Sequence, residues 1–315
     1  MTDTTRTTGP ARGLWDEDLE PHRQEARDLA SAIVERFVPD GVGEGTVESQ
    51  RRAMAALEVE SPAGRDVTYG GVPCRAFGDG TGRATYLHFH GGAMTLGSPR
   101  MNDLGNAAIA ERWGVEVVSV DYRLAPEHPF PAGSDDCLAV ARHLVEADDR
   151  PLVLGGESAG GYSAALTLLR IRDELGAADR LRGANLVYGV YDLSGTPTRC
   201  GVRPTDVPDL LPDADEETRS DYAPGRTLAE LRDPAMSPLW AHLHDMPRAL
   251  FTVGTADHLL DDSLFMHARW LAYGNEAELA VYPDGVHGFN GFPMELARRA
   301  NDRVDAFLGG CFERC

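Results

Sequence analysis

The chain has 315 residues, 42% of them hydrophobic and 25% charged, an ordinary balance for one large globular unit that needs no disulfide or metal to hold its core. Fifty acidic against 30 basic residues leave a formal net charge of −20, which repels nucleic acid and anionic membrane surfaces, and no basic stripe offsets it. The leading MTDTTRTTGPARG lacks the apolar core of a secretory signal and no run of roughly 18 apolar residues occurs, so the chain reads as cytoplasmic with no membrane span.

The five cysteines (Cys74, Cys137, Cys200, Cys311 and Cys315) are odd in number and scattered, a poor disulfide framework that fits a reducing compartment. Cys311 and Cys315 read as free thiols in a tail, ahead of a bridge or a metal pair.

Taken in chain order, a polar lead of about 20 residues is followed from Pro21 to Val38 by Ala26, Leu29, Ala30, Ile33, Val34 and Phe37 at helical spacing. Pro39 to Gly45 breaks that pattern, and DVTY and VPCRAF flank Gly70-Gly71 as an antiparallel hairpin. Strands are then expected at Thr85–Phe89, Val115–Val120, Leu152–Leu154, Ala184–Tyr188, Ala249–Val253 and Glu278–Tyr282. Amphipathic helices are expected at Ser134–Val145, Ala159–Leu175, Asp262–Tyr273 and Pro293–Leu308. Alternating strand and helix implies an α/β protein with a parallel sheet covered on both faces, and the leading hairpin implies a mixed edge. Asp192 to Trp240 breaks the alternation; a structureless loop of that length is unusual, so it reads as an inserted lid with short helices.

Gly156-Glu157-Ser158-Ala159-Gly160 matches G-x-S-x-G between the apolar strand PLVLG and a helix. That setting is what a nucleophilic serine needs, because a sharp strand-to-helix turn lifts its hydroxyl clear of the sheet. The competing reading is a serine that only caps the helix. His90-Gly91-Gly92-Ala93 follows the strand TYLHF. Glycines there let main-chain N–H groups approach a developing oxyanion, so Gly91 and Gly92, with Ala159 N–H as a third donor, are the candidate oxyanion hole. His88 and His90 form an H-x-H pair without the companion ligands of a metal site, and read as a strand residue and a loop-holding residue.

His287, in the loop YPDGVHGF, is the candidate base, and Asp257, directly after the strand ALFTV, its orienter. Asp261 and Asp262 compete for the second role but fall where a helix begins, a common place for acidic residues. The order Ser…Asp…His is that of α/β-hydrolases.

This combination resembles the hormone-sensitive-lipase family of bacterial esterases. The matching stretches are HGGA (90–93), DYRLAPEHPFPA (121–132), GESAGG (156–161), SPLWA (237–241), GTADHLLDD (254–262) and VHGF (286–289). The resemblance implies an α/β-hydrolase fold with a mostly parallel eight-stranded sheet. It implies a helical cap from residues 1–50 and 192–240, around a catalytic domain of 51–191 and 241–315. It also implies hydrolysis of small, short-acyl esters by a Ser-His-Asp triad, no cofactor or metal, and a homodimer through the last strand and helix. DYRLAPEHPFPA is implied to be a structural loop, so Glu127 and His128 are not expected to be catalytic. Two residues depart from the family pattern: Ala93 stands at its third glycine, and Glu157 where Asp or Thr is usual.

The rival readings are an amidase or deacetylase using the same triad, a catalytically inactive small-molecule-binding protein, and, weakest, a metal-dependent hydrolase. The presence of both Ser158 and His287 argues against the inactive protein.

Overall fold

The Gly70-Gly71 pair, at φ +59° and +82°, makes the tight turn that only glycine adopts without strain, and it joins strands β1 (Arg65–Tyr69) and β2 (Val72–Phe77) as the expected hairpin. In this computed structural model, which describes residues 13–37, 46–208 and 221–314, that hairpin is the antiparallel edge of an eight-stranded sheet. The other strands are β3 (Thr85–Phe89), β4 (Glu116–Val120), β5 (Leu152–Glu157), β6 (Leu181–Val187), β7 (Ala249–Gly254) and β8 (Ala277–Tyr282). The spatial order is β1-β2-β4-β3-β5-β6-β7-β8, with β3 to β8 all parallel.

Alternating side chains divide the core in two. On one face Phe77, Tyr86, Val117, Val153 and Leu250 pack under helix α1 (Arg23–Phe37) and helices α3 (Asp103–Trp113) and α7 (Glu295–Phe312). On the other, Leu87, Phe89, Val118, Val120 and Leu154 pack under α4 (Ala132–Ala147), α5 (Ala159–Arg170) and α6 (Leu260–Ala272). A third apolar cluster (Met94, Ala159, Tyr162, Val190, Leu193, Tyr222 and Leu259 among its members) lies beyond the sheet, above the start of α5.

The expected strands and helices are present with shifted ends. The helix after Ser158 leaves α geometry at Arg170 and ends in a π turn over Ile171–Leu175. Two helices were not expected. Helix α2 (Val47–Ala55) buries none of its residues, so it carries no apolar stripe to read. Helix α3 is built from small and polar residues with a weak stripe, and Gly114 at φ +59° ends it. In the insertion, the described residues hold a helical turn at Leu228–Leu231 and a 3-10 turn at Pro238–Trp240; 209–220 lie outside the described residues, as does Cys315. Cys74, Cys137 and Cys200 are free thiols, and Cys311 is buried. Among the described residues no helix is long and apolar enough to cross a membrane.

Candidate active site

The parallel strands deliver their C-terminal ends to one rim of the sheet, where β3, β5, β6, β7 and β8 open into the loops singled out from sequence. Ser158 sits between β5 and α5 at φ +56° and ψ −119°, a conformation few non-glycine residues take. Its N–H donates to Val187 O at 2.9 Å and its carbonyl accepts from Tyr162 N–H at 3.1 Å, which pins the turn. Gly156 and Gly160 allow it: an added Cβ at either would fall inside contact distance of the Phe89 carbonyl. The capping alternative fails, because the Ser158 side chain makes no cap hydrogen bond.

Its Oγ instead lies 2.9 Å from His287 Nε2, and His287 Nδ1 lies 3.1 and 3.0 Å from the two carboxylate oxygens of Asp257. Asp257 is buried, and Leu259 N–H donates to its Oδ1 at 2.8 Å. Burial alone would raise this carboxyl, but the imidazole of His287, that of His258 and the Leu259 N–H outweigh it and hold it below its ordinary range. The competing acids do other work. Buried Asp262 accepts from Tyr191 N–H (2.6 Å), Asp192 N–H (3.0 Å) and Thr196 Oγ1 (2.7 Å), and Asp261 accepts from Thr198 N–H (3.0 Å), so both anchor the root of the insertion.

Gly91 backs onto Ser158: a Cβ there would lie 3.7 Å from Ser158 Cβ. Gly92 turns the loop at φ +117°, its carbonyl accepting from Thr95 and Leu96 N–H at 3.0 and 2.7 Å. Ala159 is the first residue of α5, so its N–H has no acceptor within the helix. His90 is fully buried, stacked on Tyr122 at 4.2 Å, and donates from Nδ1 to Gly91 O at 2.7 Å. Burial pushes it down to about 4, so it holds the loop as neutral imidazole. Ala93, where a third glycine is usual, adopts φ +54°, and Met94 after it φ +59°.

Glu157 reaches back to the sheet, with His88 Nε2 at 3.2 Å and Asn102 Nδ2 at 3.3 Å from its Oε2. Glu127 is gripped at 2.8 Å through both oxygens by Arg51 of α2, which holds it down to about 2. Arg51 also donates to Thr95 O and Ala125 O at 2.8 Å, so α2 braces the loop that follows His90.

Three residues near His287 were not singled out from sequence. The Tyr188 ring packs edge-on to His287 with centroids 4.8 Å apart, its backbone at φ +34° and its hydroxyl donating to Asn290 Oδ1 at 2.5 Å. His258 stands with its ring 4.9 Å from that of His287. Asp284 is fully buried in the same loop as His287. Adjacency to Asp257 and to the YPDGVH loop was the available signal for the last two; Tyr188 has only its place at the end of β6. Among the described residues, Asp257, His258 and His287 are the grouping close enough to hold a metal ion, with ligand atoms within 4.8 Å of one another. Both ring nitrogens of His287 already face Ser158 and Asp257, and the His88–His90 pair is not part of the grouping.

A family model described as alpha/beta hydrolase fold matches residues 86–291. Carboxylesterase NlhH of Mycobacterium tuberculosis is 31% identical over 228 residues, 68% of this chain and 69% of that protein. An acetyl-hydrolase of Streptomyces hygroscopicus is 30% identical over 236 residues, 71% of this chain and 75% of that one. A solved hormone-sensitive lipase from a metagenome library is similar with a TM-score of 0.76 at 26% identity, covering 92% of this chain and 98% of that one.

Proposed function

The chain belongs to the alpha/beta hydrolase family, in the branch of the hormone-sensitive-lipase-like esterases, and on that premise we propose that it is a serine carboxylesterase acting on small, short-acyl esters. The observation that carries the reading is the unbroken line from Ser158 Oγ through His287 to Asp257, at 2.9 and 3.0 Å.

In this reading Ser158 Oγ attacks the ester carbonyl while His287 Nε2 takes its proton. The tetrahedral oxyanion accepts from the N–H groups of Gly91, Gly92 and Ala159. Asp257 keeps the other imidazole proton on Nδ1 and stabilises the imidazolium. Collapse breaks the bond to the leaving oxygen, which takes the proton from His287 and departs as the alcohol, leaving an acyl-serine. Water, deprotonated by His287, then attacks the acyl carbon; the acid leaves and Ser158 regains its proton. No cofactor enters these steps.

The short-acyl preference rests on the cluster around Ala159, already filled by Met94, Tyr162, Val190, Leu193 and Leu259, which favours a small group beside Ser158. Residues 1–50 and 192–240 are proposed as the cap, and a homodimer through β8 and α7 is proposed from β8 being the last strand in the sheet order.

The test is hydrolysis of a p-nitrophenyl acyl series from acetate upward, beside matched anilides, by the wild-type chain and Ser158→Ala. Turnover greatest on short esters, with loss of both turnover and fluorophosphonate labelling in Ser158→Ala, supports the reading. Undiminished activity in that variant would sink it, and faster cleavage of the anilides would make the chain an amidase instead.

A further inference from the structure

The loop that carries His287 contains a second acid, Asp284, whose side chain is completely buried and whose backbone sits at φ +56°. Its own N–H donates to Thr255 Oγ1 at 2.8 Å, two residues before Asp257, so the base loop and the acid loop are tied together beneath the triad. The carboxylate is held by two other parts of the chain. Arg23 Nε and Arg27 Nε, one turn apart on α1, donate to Oδ2 at 2.9 and 2.7 Å. Arg27 Nη2 lies 3.5 Å from Oδ1, and Thr205 of the insertion donates to the same oxygen at 3.4 Å.

The two arginines are themselves shared. Arg23 also pairs with Glu20 at 2.8 Å and lies 5.5 Å from the Trp15 ring, and Arg27 also pairs with Asp206 of the insertion at 3.0 Å. A third arginine, Arg203, donates to the carbonyl of Ala256, next to Asp257, at 3.4 Å. The N-terminal helix and the insertion, 257 residues apart from Asp284 in sequence in the case of Arg27, thus meet on one carboxylate beside the catalytic loop.

From this convergence, and resting on the esterase reading above, we propose that Asp284 is a positioning residue: through it, the seating of α1 and of the insertion root sets the placement of His287 between Ser158 and Asp257. A buried carboxylate held by two guanidinium groups is stiff, because each donor fixes a direction as well as a distance. Three residues further on, the imidazole must keep hydrogen bonds on two sides at once. Loss of the clasp would leave the two arginines only their outer partners, Glu20 and Asp206, and let the loop drift from Asp257. Imidazolium stabilisation weakens as that distance grows, so the base should become less basic.

The experiment compares wild type, Asp284→Asn and the double variant Arg23→Ala/Arg27→Ala on p-nitrophenyl acetate, with kcat expressed per fluorophosphonate-labelled site and kcat/KM followed across pH. The proposal expects kcat per labelled site to fall about tenfold or more in Asp284→Asn with KM little changed. It also expects the acid limb of the profile to move to lower pH, and the arginine double variant to reproduce both changes without any substitution in the His287 loop. Asp284→Glu, which restores charge with a longer reach, should recover part of the loss.

A purely structural clasp would lower the melting temperature and the number of labelled sites while leaving kcat per site and the acid limb where they are; that result overturns the proposal. So does a normal arginine double variant beside an impaired Asp284→Asn, and if Asp284→Asn does not fold the arginine variant alone decides. A wild-type chain that is neither labelled at Ser158 nor active on the ester fails the esterase reading instead.

Discussion

Gly160→Ala tests how closely the Ser158 turn and the loop after β3 are packed. An alanine Cβ at this position would lie 2.7 Å from the Phe89 carbonyl carbon and 2.9 Å from the His90 carbonyl oxygen, with the Phe89 oxygen nearer still. That closest contact is far inside the roughly 3.2 Å at which a carbon and an oxygen settle, so the first turn of α5 and the end of β3 must separate by about 1 Å or more. Neither partner is a side chain that can swing away. Overpacking of this kind costs about 1–3 kcal/mol, while alanine returns at most about 1 kcal/mol in helix propensity.

The clash keeps the expected net loss near the upper end, about 2 kcal/mol, which for a chain of this length is a fall in melting temperature of about 3 °C. The same displacement moves Ala159 N–H and Ser158 away from Gly91 and Gly92, and a shift of about 1 Å is expected to lower kcat per labelled site by about 100-fold. Gly105→Ala is the matched control: it lies in α3 with nothing within 4 Å of the added Cβ, and should be neutral or slightly stabilising. Thermal melts and ester turnover on the two variants decide the matter. A Gly160→Ala enzyme melting within about 1 °C of wild type, with kcat within about twofold, would refute the packing argument.

Three further outcomes are expected. His90 takes a proton near pH 6.5 when unfolded but resists it to about 4 when folded, so acidification through that window favours the unfolded chain. The cost reaches about 3 kcal/mol, and urea melts between pH 7 and 4.5 should show a shallower decline in His90→Asn, whose amide can still donate to Gly91 O. Asp257→Asn should lower kcat by about 10³- to 10⁴-fold and slow fluorophosphonate labelling in step, since the imidazole loses its enforced tautomer; near-normal labelling would count against the assigned orienter. Arg75→Met strands Asp103, buried at 0% exposure and otherwise held by Ser61 N–H at 3.0 Å, and should cost about 3 kcal/mol in urea unfolding; a loss under about 1 kcal/mol would mean that the pair is not the anchor of the β2 edge.

What was legible in the sequence follows from range. The strands could be read because β3, β4 and β7 are buried along their whole length and stand out as apolar runs. The pentapeptide around Ser158, the glycines after His90 and the order of Asp257 and His287 could be read because each is local. Helix α2 could not, since it is held by Arg51 reaching three acceptors on other loops and not by an apolar face. The anchoring by Asp262 was missed for a related reason. An acid in the first turn of a helix looks self-explanatory, and its partners Tyr191, Asp192 and Thr196 are about 70 residues upstream.

Backbone strain carries the part of the site that no residue pattern shows. Among the described residues six non-glycine residues have positive φ, and five of them (Ala93, Met94, Ser158, Tyr188 and Asp284) lie in the loops around Ser158 and His287. Each such conformation costs on the order of 1–3 kcal/mol and persists only where its surroundings over-determine it. The determinants are visible: Ser158 is fixed through Val187 O and Tyr162 N–H, Tyr188 through Thr252 O, Met94 through Ala125 N–H, and Asp284 through Thr255 Oγ1. Every one of these partners belongs to a different segment from the residue it holds, save Tyr162. The strained turns are therefore set by the assembled fold and not by their own sequences, and a change in how β3, β5, β6 and β7 pack would reach Ser158, His287 and Asp257. Gly160, wedged against β3, is the most direct place to make that change.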